Sequence, residues 1–319
     1  MTPTAIYDII SYSVYARKNM NEFGGRIMNH TLENDRLRIT VDDHGAELCS
    51  IFDKDNKREI LWQADPVFWK RHAPVLFPNV GRHYKDCWRL NGDCYDSRQH
   101  GFARDMDFSC TAKTTDSVTH LLTSTDKTRE SYPFDFTFSV THTLAGHDIL
   151  IRWNIQNTGS QRMYFTIGGH PAFNVPVLEG TEQTDYYLTF EDQTSIPYLL
   201  LDPVWGTAQT GTQYRLDPDC GKLRIHPHMF DKDALIFSDG VIQKAGIAFP
   251  DGTPYLELTC KGFPNFGIWS VPGAPFICLE PWMGRCDDCG FEGDVSDKPG
   301  INQVDPGNTF TSTYSIRIF

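Results

Sequence analysis

From Phe134 to Leu144 the chain alternates without a slip for eleven residues, with bulky side chains at even positions and Asp, Ser or Thr at odd ones. Successive side chains of a strand point to opposite faces, so this period fits a half-buried strand and no helix. The turn Ala145-Gly146-His147-Asp148 follows, after which Ile149, Ile151, Trp153 and Ile155 repeat the pattern. Two such runs about a tight turn predict an antiparallel hairpin with one apolar face. That face needs a second apolar layer.

Further runs of this kind supply one. Leu37 to Val41, the turn at Asp42 to Gly45 and Ala46 to Phe52 read as a first hairpin. Strands are also expected at residues 186–190, 246–249, 255–259, 266–270, 276–280 and 313–319. The aromatic stretch Trp62 to Trp69 and the segment Arg71 to Arg82, broken by Pro74, Pro78 and Gly81, read as a structured loop. No stretch keeps a helical apolar spacing over a dozen residues, and no internal repeat is evident. The 19 prolines, 25 glycines and 13% aromatics suit short strands joined by turns. We expect an all-β protein, a large antiparallel β-sandwich over residues 28–319, with residues 1–27 as an appendage.

With 41 acidic against 29 basic residues, the formal charge of −12 repels a polyphosphate chain and does not hold an anionic bilayer. Nucleic acid and membranes are therefore not expected as partners. Nowhere do about eighteen apolar residues run together, and the N-terminal stretch lacks the form of a signal peptide, so a soluble, cytoplasmic protein is expected. Nine cysteines without a repeated spacing read as reduced thiols. Cys286 and Cys289 could make half of a zinc site, but no second pair at ligand spacing accompanies them, so an ordinary loop is expected there.

Three stretches bring polar groups and chain-bending residues together: Gln99-His100-Gly101-Phe102-Ala103-Arg104, Gly168-Gly169-His170-Pro171-Ala172-Phe173-Asn174 and Phe276-Ile277-Cys278-Leu279-Glu280-Pro281-Trp282. Gly168 and Gly169 allow close approach of a ligand, and Pro171 forces its predecessor to be extended, so His170 is presented to something. Glu280 ends an apolar strand between Leu279 and Trp282, where lost solvation would raise its pKa and strengthen it as a base. A histidine beside that carboxylate would be favoured in its charged form, giving a coupled acid and base. We expect His100, His170 and Glu280 to share one cleft. Each alone has a plainer reading, a structural imidazole or a solvated strand end. His120, His142 and His147, in strands or turns with nothing nearby to demand an imidazole, are expected to be such residues.

Arg82 follows Asn79-Val80-Gly81, where a forked cation and an amide could reach ligand hydroxyls; a loop salt bridge is the alternative. Trp269 and Trp282 suit stacking on the apolar face of a sugar, or packing in the core.

Taken in order, the three stretches resemble the aldose 1-epimerase (galactose mutarotase-like) family, in particular its LacX-type branch, over about Leu32 to Phe319. The resemblance implies a β-supersandwich on which His100, His170 and Glu280 are catalytic, Arg82 holds the sugar and Asp233 is a further sugar ligand. It implies a mutarotase needing no metal or organic cofactor, working on a small sugar as a monomer or homodimer. The segment His-Gly-Phe-Ala-Arg departs from the glycine-richer version of typical galactose mutarotases, which leaves the sugar open. The cluster Lys70-Arg71-His72 with Arg82-His83-Tyr84-Lys85 could hold the phosphate of a sugar 6-phosphate. The overall negative charge points instead to neutral sugars. A non-catalytic sugar-binding protein on the same fold is the third reading.

Overall fold

The alternating stretch forms the middle of the largest sheet in the computed structural model, which describes residues 28–319. The expected appendage, residues 1–27, lies outside the described residues. Phe136–Ala145 pairs antiparallel with Asp148–Asn157, from Phe136 opposite Asn157 to Ala145 opposite Asp148 without a break. Its even-numbered residues are buried. The nine strands of this sheet run in the order Lys222–Arg224, Tyr187–Thr189, Lys244–Ala248, Pro254–Thr259, Thr309–Ile318, Asp148–Asn157, Phe136–Ala145, Ser117–Thr123, Ser109–Lys113.

A second antiparallel sheet carries the order Leu235–Phe237, Asn265–Trp269, Phe276–Met283, Ile167–Gly169, Val75–Leu76, with Ala172–Asn174 also paired to Phe276–Met283. A third, four-stranded sheet consists of Asn29–Glu33, Leu37–Asp42, Leu48–Asp53 and Arg58–Glu59. Phe138, Val140, Trp153 and Ile155 of the large sheet share one buried cluster with Phe266, Ile268, Ile277 and Leu279 of the second. Covering each such side chain is worth about 1.5–3 kcal/mol, which is what holds the layers face to face. The fold is the expected all-β sandwich, 45% strand and 6% helix.

Several details differ from the sequence reading. The structured loop after Trp62 contains the short strand Val75–Leu76, which completes the second sheet. Asn29–Glu33 and the pair Ser109–Lys113 and Ser117–Thr123 were not anticipated: the first is short, and the outer strand of the pair is exposed throughout. One helix of six residues, Asp126–Ser131, is held by a capping box in which Thr125 and Thr128 exchange side-chain and backbone hydrogen bonds. The expectation of nine reduced thiols is corrected at one pair. Cys87 and Cys94, on facing strands of the hairpin Cys87–Leu90 and Asp93–Asp96, form a disulfide. The tight turn between them sets their Cα atoms 5.5 Å apart, a proximity that spacing alone did not reveal. Among the described residues no helix is long and apolar enough to cross a membrane.

Candidate active site

Strand register decides which groups meet. Gly168 lies opposite Trp282, and beyond Pro171 the same register places Ala172 opposite Cys278. His170 therefore falls opposite Glu280. Its backbone N–H donates to Pro74 O (3.1 Å) while Leu279 N–H donates to Pro171 O (3.2 Å), so both flanking strands fix the segment. Alternation then gives the sheet two faces. Ile167, Phe266, Ile268, Ile277 and Leu279 point into the main core. His170, Glu280, Trp269 and Trp282 belong to the other face, which is the candidate site.

There His170 Nε2 sits 3.3 Å from Glu280 Oε2, with both side chains buried. Trp69 stacks on the His170 ring at 4.8 Å and Trp269 meets it edge-on at 5.6 Å, so the imidazole is walled by indoles. His100 reaches the site from a different loop. Its ring centroid lies 5.6 Å from that of His170. Left-handed backbone at His100 (φ 66°) and Gly101 (φ 68°) turns the chain sharply there. A Cβ at position 101 would lie 2.2 Å from Phe77 O, so the turn requires glycine. His100 N–H donates to Gly81 O (2.8 Å), and Gly81 N–H donates to His100 Nδ1 (3.0 Å). An Nδ1 that accepts leaves the proton on Nε2, so His100 is a neutral hydrogen-bond donor through Nε2.

Burial sets the charge states. It pushes Glu280 well above the usual carboxylate range, reinforced by the nearby Asp233 carboxylate and opposed by the Trp282 indole. Trp282 Nε1 makes no hydrogen bond of normal geometry, so that opposition is weak. His170 is lowered to about 3, by burial first and then by the Arg104 and Arg71 guanidiniums. His100 falls well below its ordinary value through burial, Arg104, His170 and Arg71. The expectation that Glu280 keeps His170 charged is therefore corrected: desolvation of two buried groups favours the neutral pair.

The expected sugar-holding residues divide. Asp233, with left-handed backbone (φ 73°), stands close enough to Glu280 to act on it electrostatically. Trp269 is half-buried at the rim. For Trp282, of the two readings open in the sequence, the structure favours packing over stacking. It is 5% exposed, and its indole lies where a Cβ on Gly168 or Gly267 would be, 2.4 and 2.3 Å away. The Asn79 amide donates to Gly81 O (2.8 Å) and Arg98 O (3.0 Å), bracing the loop that carries His100. The Arg82 guanidinium binds Asp86 through Nε (2.8 Å) and Nη2 (2.5 Å).

Trp69 and Arg104 have parts in the site that the sequence reading did not assign. Arg104 is four residues after His100 in the same motif; its buried Nε has no partner, and burial beside Arg71 lowers its pKa to about 10. The aromatic run ending at Trp69 was visible, but not its target.

The packed antiparallel sheets that carry this pair are those of the galactose mutarotase-like fold. The chain belongs to the aldose 1-epimerase family, whose model matches residues 28–233. It is 30% identical to the chromosomal protein LacX of Lactococcus lactis subsp. lactis over 298 residues, covering 91% of this chain and 99% of that protein. The structure of a galactose mutarotase related enzyme from Lactobacillus acidophilus superimposes with a TM-score of 0.86 at 31% identity, covering 92% of this chain and 97% of the other. A galactose mutarotase-like protein from Lactobacillus casei gives 0.83 at 30% identity, covering 92% and 100%.

Proposed function

We propose that this chain is a mutarotase that interconverts the α and β anomers of a hexose by acid and base catalysis. The observation that carries this reading is the 3.3 Å His170–Glu280 pair beside His100, whose Nδ1 accepts from Gly81 N–H and so leaves Nε2 as the donor. In the reactive tautomer the proton of the pair sits on His170. Glu280 then takes the proton of the C1 hydroxyl, His170 gives its own to the ring oxygen, and His100 Nε2–H steadies that oxygen. The C1–O bond breaks as C1=O forms. This step leaves Glu280 protonated and His170 neutral, the state that burial favours. Rotation about C1–C2 presents the other carbonyl face, and closure returns both protons. No metal or organic cofactor takes part in these steps.

The test is polarimetry on freshly dissolved anomers. Glu280→Gln and His170→Asn should each lower kcat by about 10²- to 10⁴-fold while circular dichroism stays native. Full turnover by either variant would remove that residue from the mechanism. Sugar binding by the wild type without faster mutarotation of any sugar would favour a non-catalytic role.

One observation favours a second reading, in which the sugar carries a phosphate. Arg104 and Arg71 both bear on the catalytic imidazoles, and Arg104 keeps a buried, unpartnered Nε. An anion there would satisfy a donor and offset the mutual repulsion of the two cations. Exchange NMR on a hexose and its 6-phosphate separates the readings. For a phosphorylated substrate, Arg104→Gln should raise KM for the phosphate ester by a larger factor than KM for the free sugar.

A further inference from the structure

Away from the catalytic face, imidazoles stand where the strand pattern calls for aliphatic residues. His120 occupies an inward position between Val118 and Leu122, and it is fully buried. Neither of its ring nitrogens has a hydrogen-bond partner of normal geometry. An unpartnered polar group in such a place is costly to bury, so the residue demands a reason. His30, 6% exposed, meets it edge-on with ring centroids 5.1 Å apart. Asp43 Oδ1 lies between them, 2.9 Å from His30 Nε2 and 3.3 Å from His120 Nε2. Cys110 faces His120 across the strand pair, at a β-bulge between Cys110 and Ala112. Bulges of this kind re-aim a side chain.

Ligand atoms of His30, Cys110 and His120 all lie within 4.8 Å of one another. A tetrahedral zinc ion with bonds of about 2.0–2.3 Å needs its ligand atoms roughly 3.3–3.8 Å apart, so closing the set takes about an ångström of side-chain movement. Two nitrogens, one sulfur and one carboxylate oxygen form a donor set suited to Zn²⁺.

We propose that His30, His120, Cys110 and Asp43 form a structural zinc site. Its ligands come from the edge strand Asn29–Glu33 of the four-stranded sheet, the turn after Leu37–Asp42 and the outer hairpin of the nine-stranded sheet. The ion clamps one sheet to the other at their rim. On binding, the Cys110 thiol releases its proton to solvent and the thiolate becomes the fourth ligand. Cys110 is exposed, so the metal has a way in.

The experiment uses the full chain, stripped with chelator and titrated with Zn²⁺ by calorimetry, then with Co²⁺ as a spectroscopic probe. We expect one equivalent of metal in this site, tetrahedral Co²⁺ absorption and a thiolate-to-Co²⁺ charge-transfer band. Free Zn²⁺ at 100 times its Kd should shift the folding equilibrium about 100-fold towards the native state. Cys110→Ser, a surface substitution, should abolish the charge-transfer band and weaken Zn²⁺ binding by at least roughly tenfold, a loss that outer-shell changes alone can reach. His120→Gln should do the same. Binding unchanged in both variants, no stoichiometric binding, or a charge-transfer band lost in Cys278→Ala and kept in Cys110→Ser would each overturn the proposal. The last outcome would place the metal at His170, Cys278 and Glu280, the other compact group of ligand-type side chains among the described residues.

Discussion

Burial makes Glu280 a point at which the site answers to pH. Its folded pKa is raised, so the folded chain holds that proton more tightly than the unfolded one. The stabilisation this gives is fully present below the unfolded pKa and is lost as pH rises through the folded value. His170 has the opposite sign. Lowered to about 3, it contributes stability above its ordinary pKa and loses it as pH falls towards that value. Above the ordinary histidine pKa the His170 contribution is constant, while the Glu280 contribution falls until the pH passes its raised folded value. The melting temperature of Glu280→Gln should therefore gain on that of the wild type as pH rises across this window, read by scanning calorimetry; a constant difference would show that Glu280 is not so perturbed. His170 and Glu280 were legible in the sequence because glycine, proline and apolar neighbours make a polar residue conspicuous. Arg104 and Trp69 were not assigned because their importance depends on which loop lies over which strand. The charge on His170 was misread because neighbour identity suggests attraction, whereas depth of burial is a tertiary property.

At the scale of elements, the His100 turn is more exacting than an ordinary hairpin turn. Gly101 and Gly146 both have left-handed backbone, φ 68° and 62°. A Cβ at 101 would strike Phe77 O at 2.2 Å, whereas one at 146 meets nothing within 4 Å. Gly146→Ala should cost only the backbone strain, about 1–2 kcal/mol. Gly101→Ala should cost about 1–3 kcal/mol more, through displaced backbone, and should lower kcat by moving His100 away from Gly81. Urea denaturation and polarimetry on the pair measure both effects; equal losses would contradict the tight turn. The long strands were legible for a physical reason. A face buried along ten residues must alternate, as Phe136–Ala145 does. Val75–Leu76 has two residues and Ser109–Lys113 is exposed throughout, so neither has room or reason to show a period.

Across the whole molecule, the loop bearing Arg82 is tied to the C-terminal part of the chain by buried charge. The Asp287 carboxylate accepts from Tyr84 N–H (2.8 Å), and the Lys298 ammonium lies 2.8 Å from it, with both side chains 2% exposed. Burial works to raise Asp287, but Lys298 and His83 outweigh it and hold the carboxyl well below its ordinary range. Lys298→Met would leave that carboxylate buried without its ammonium partner, at a cost of about 3–5 kcal/mol in urea denaturation. Asp287→Asn in the same chain should recover part of the loss. Such an alliance between residues more than 200 positions apart leaves no local trace, which is why it was not legible. The convergence of three distant motifs was expected from the way each sets a polar group among chain-bending residues, and from their resemblance to a family. The two-faced second sheet has a consequence for how such a protein can diverge. Neighbouring positions on Phe276–Met283 carry different burdens: Ile277 and Leu279 pack the main core, while Glu280 between them and the strand end faces the candidate site. New specificities can thus arise by exchanging every other residue while the scaffold behind them goes unaltered.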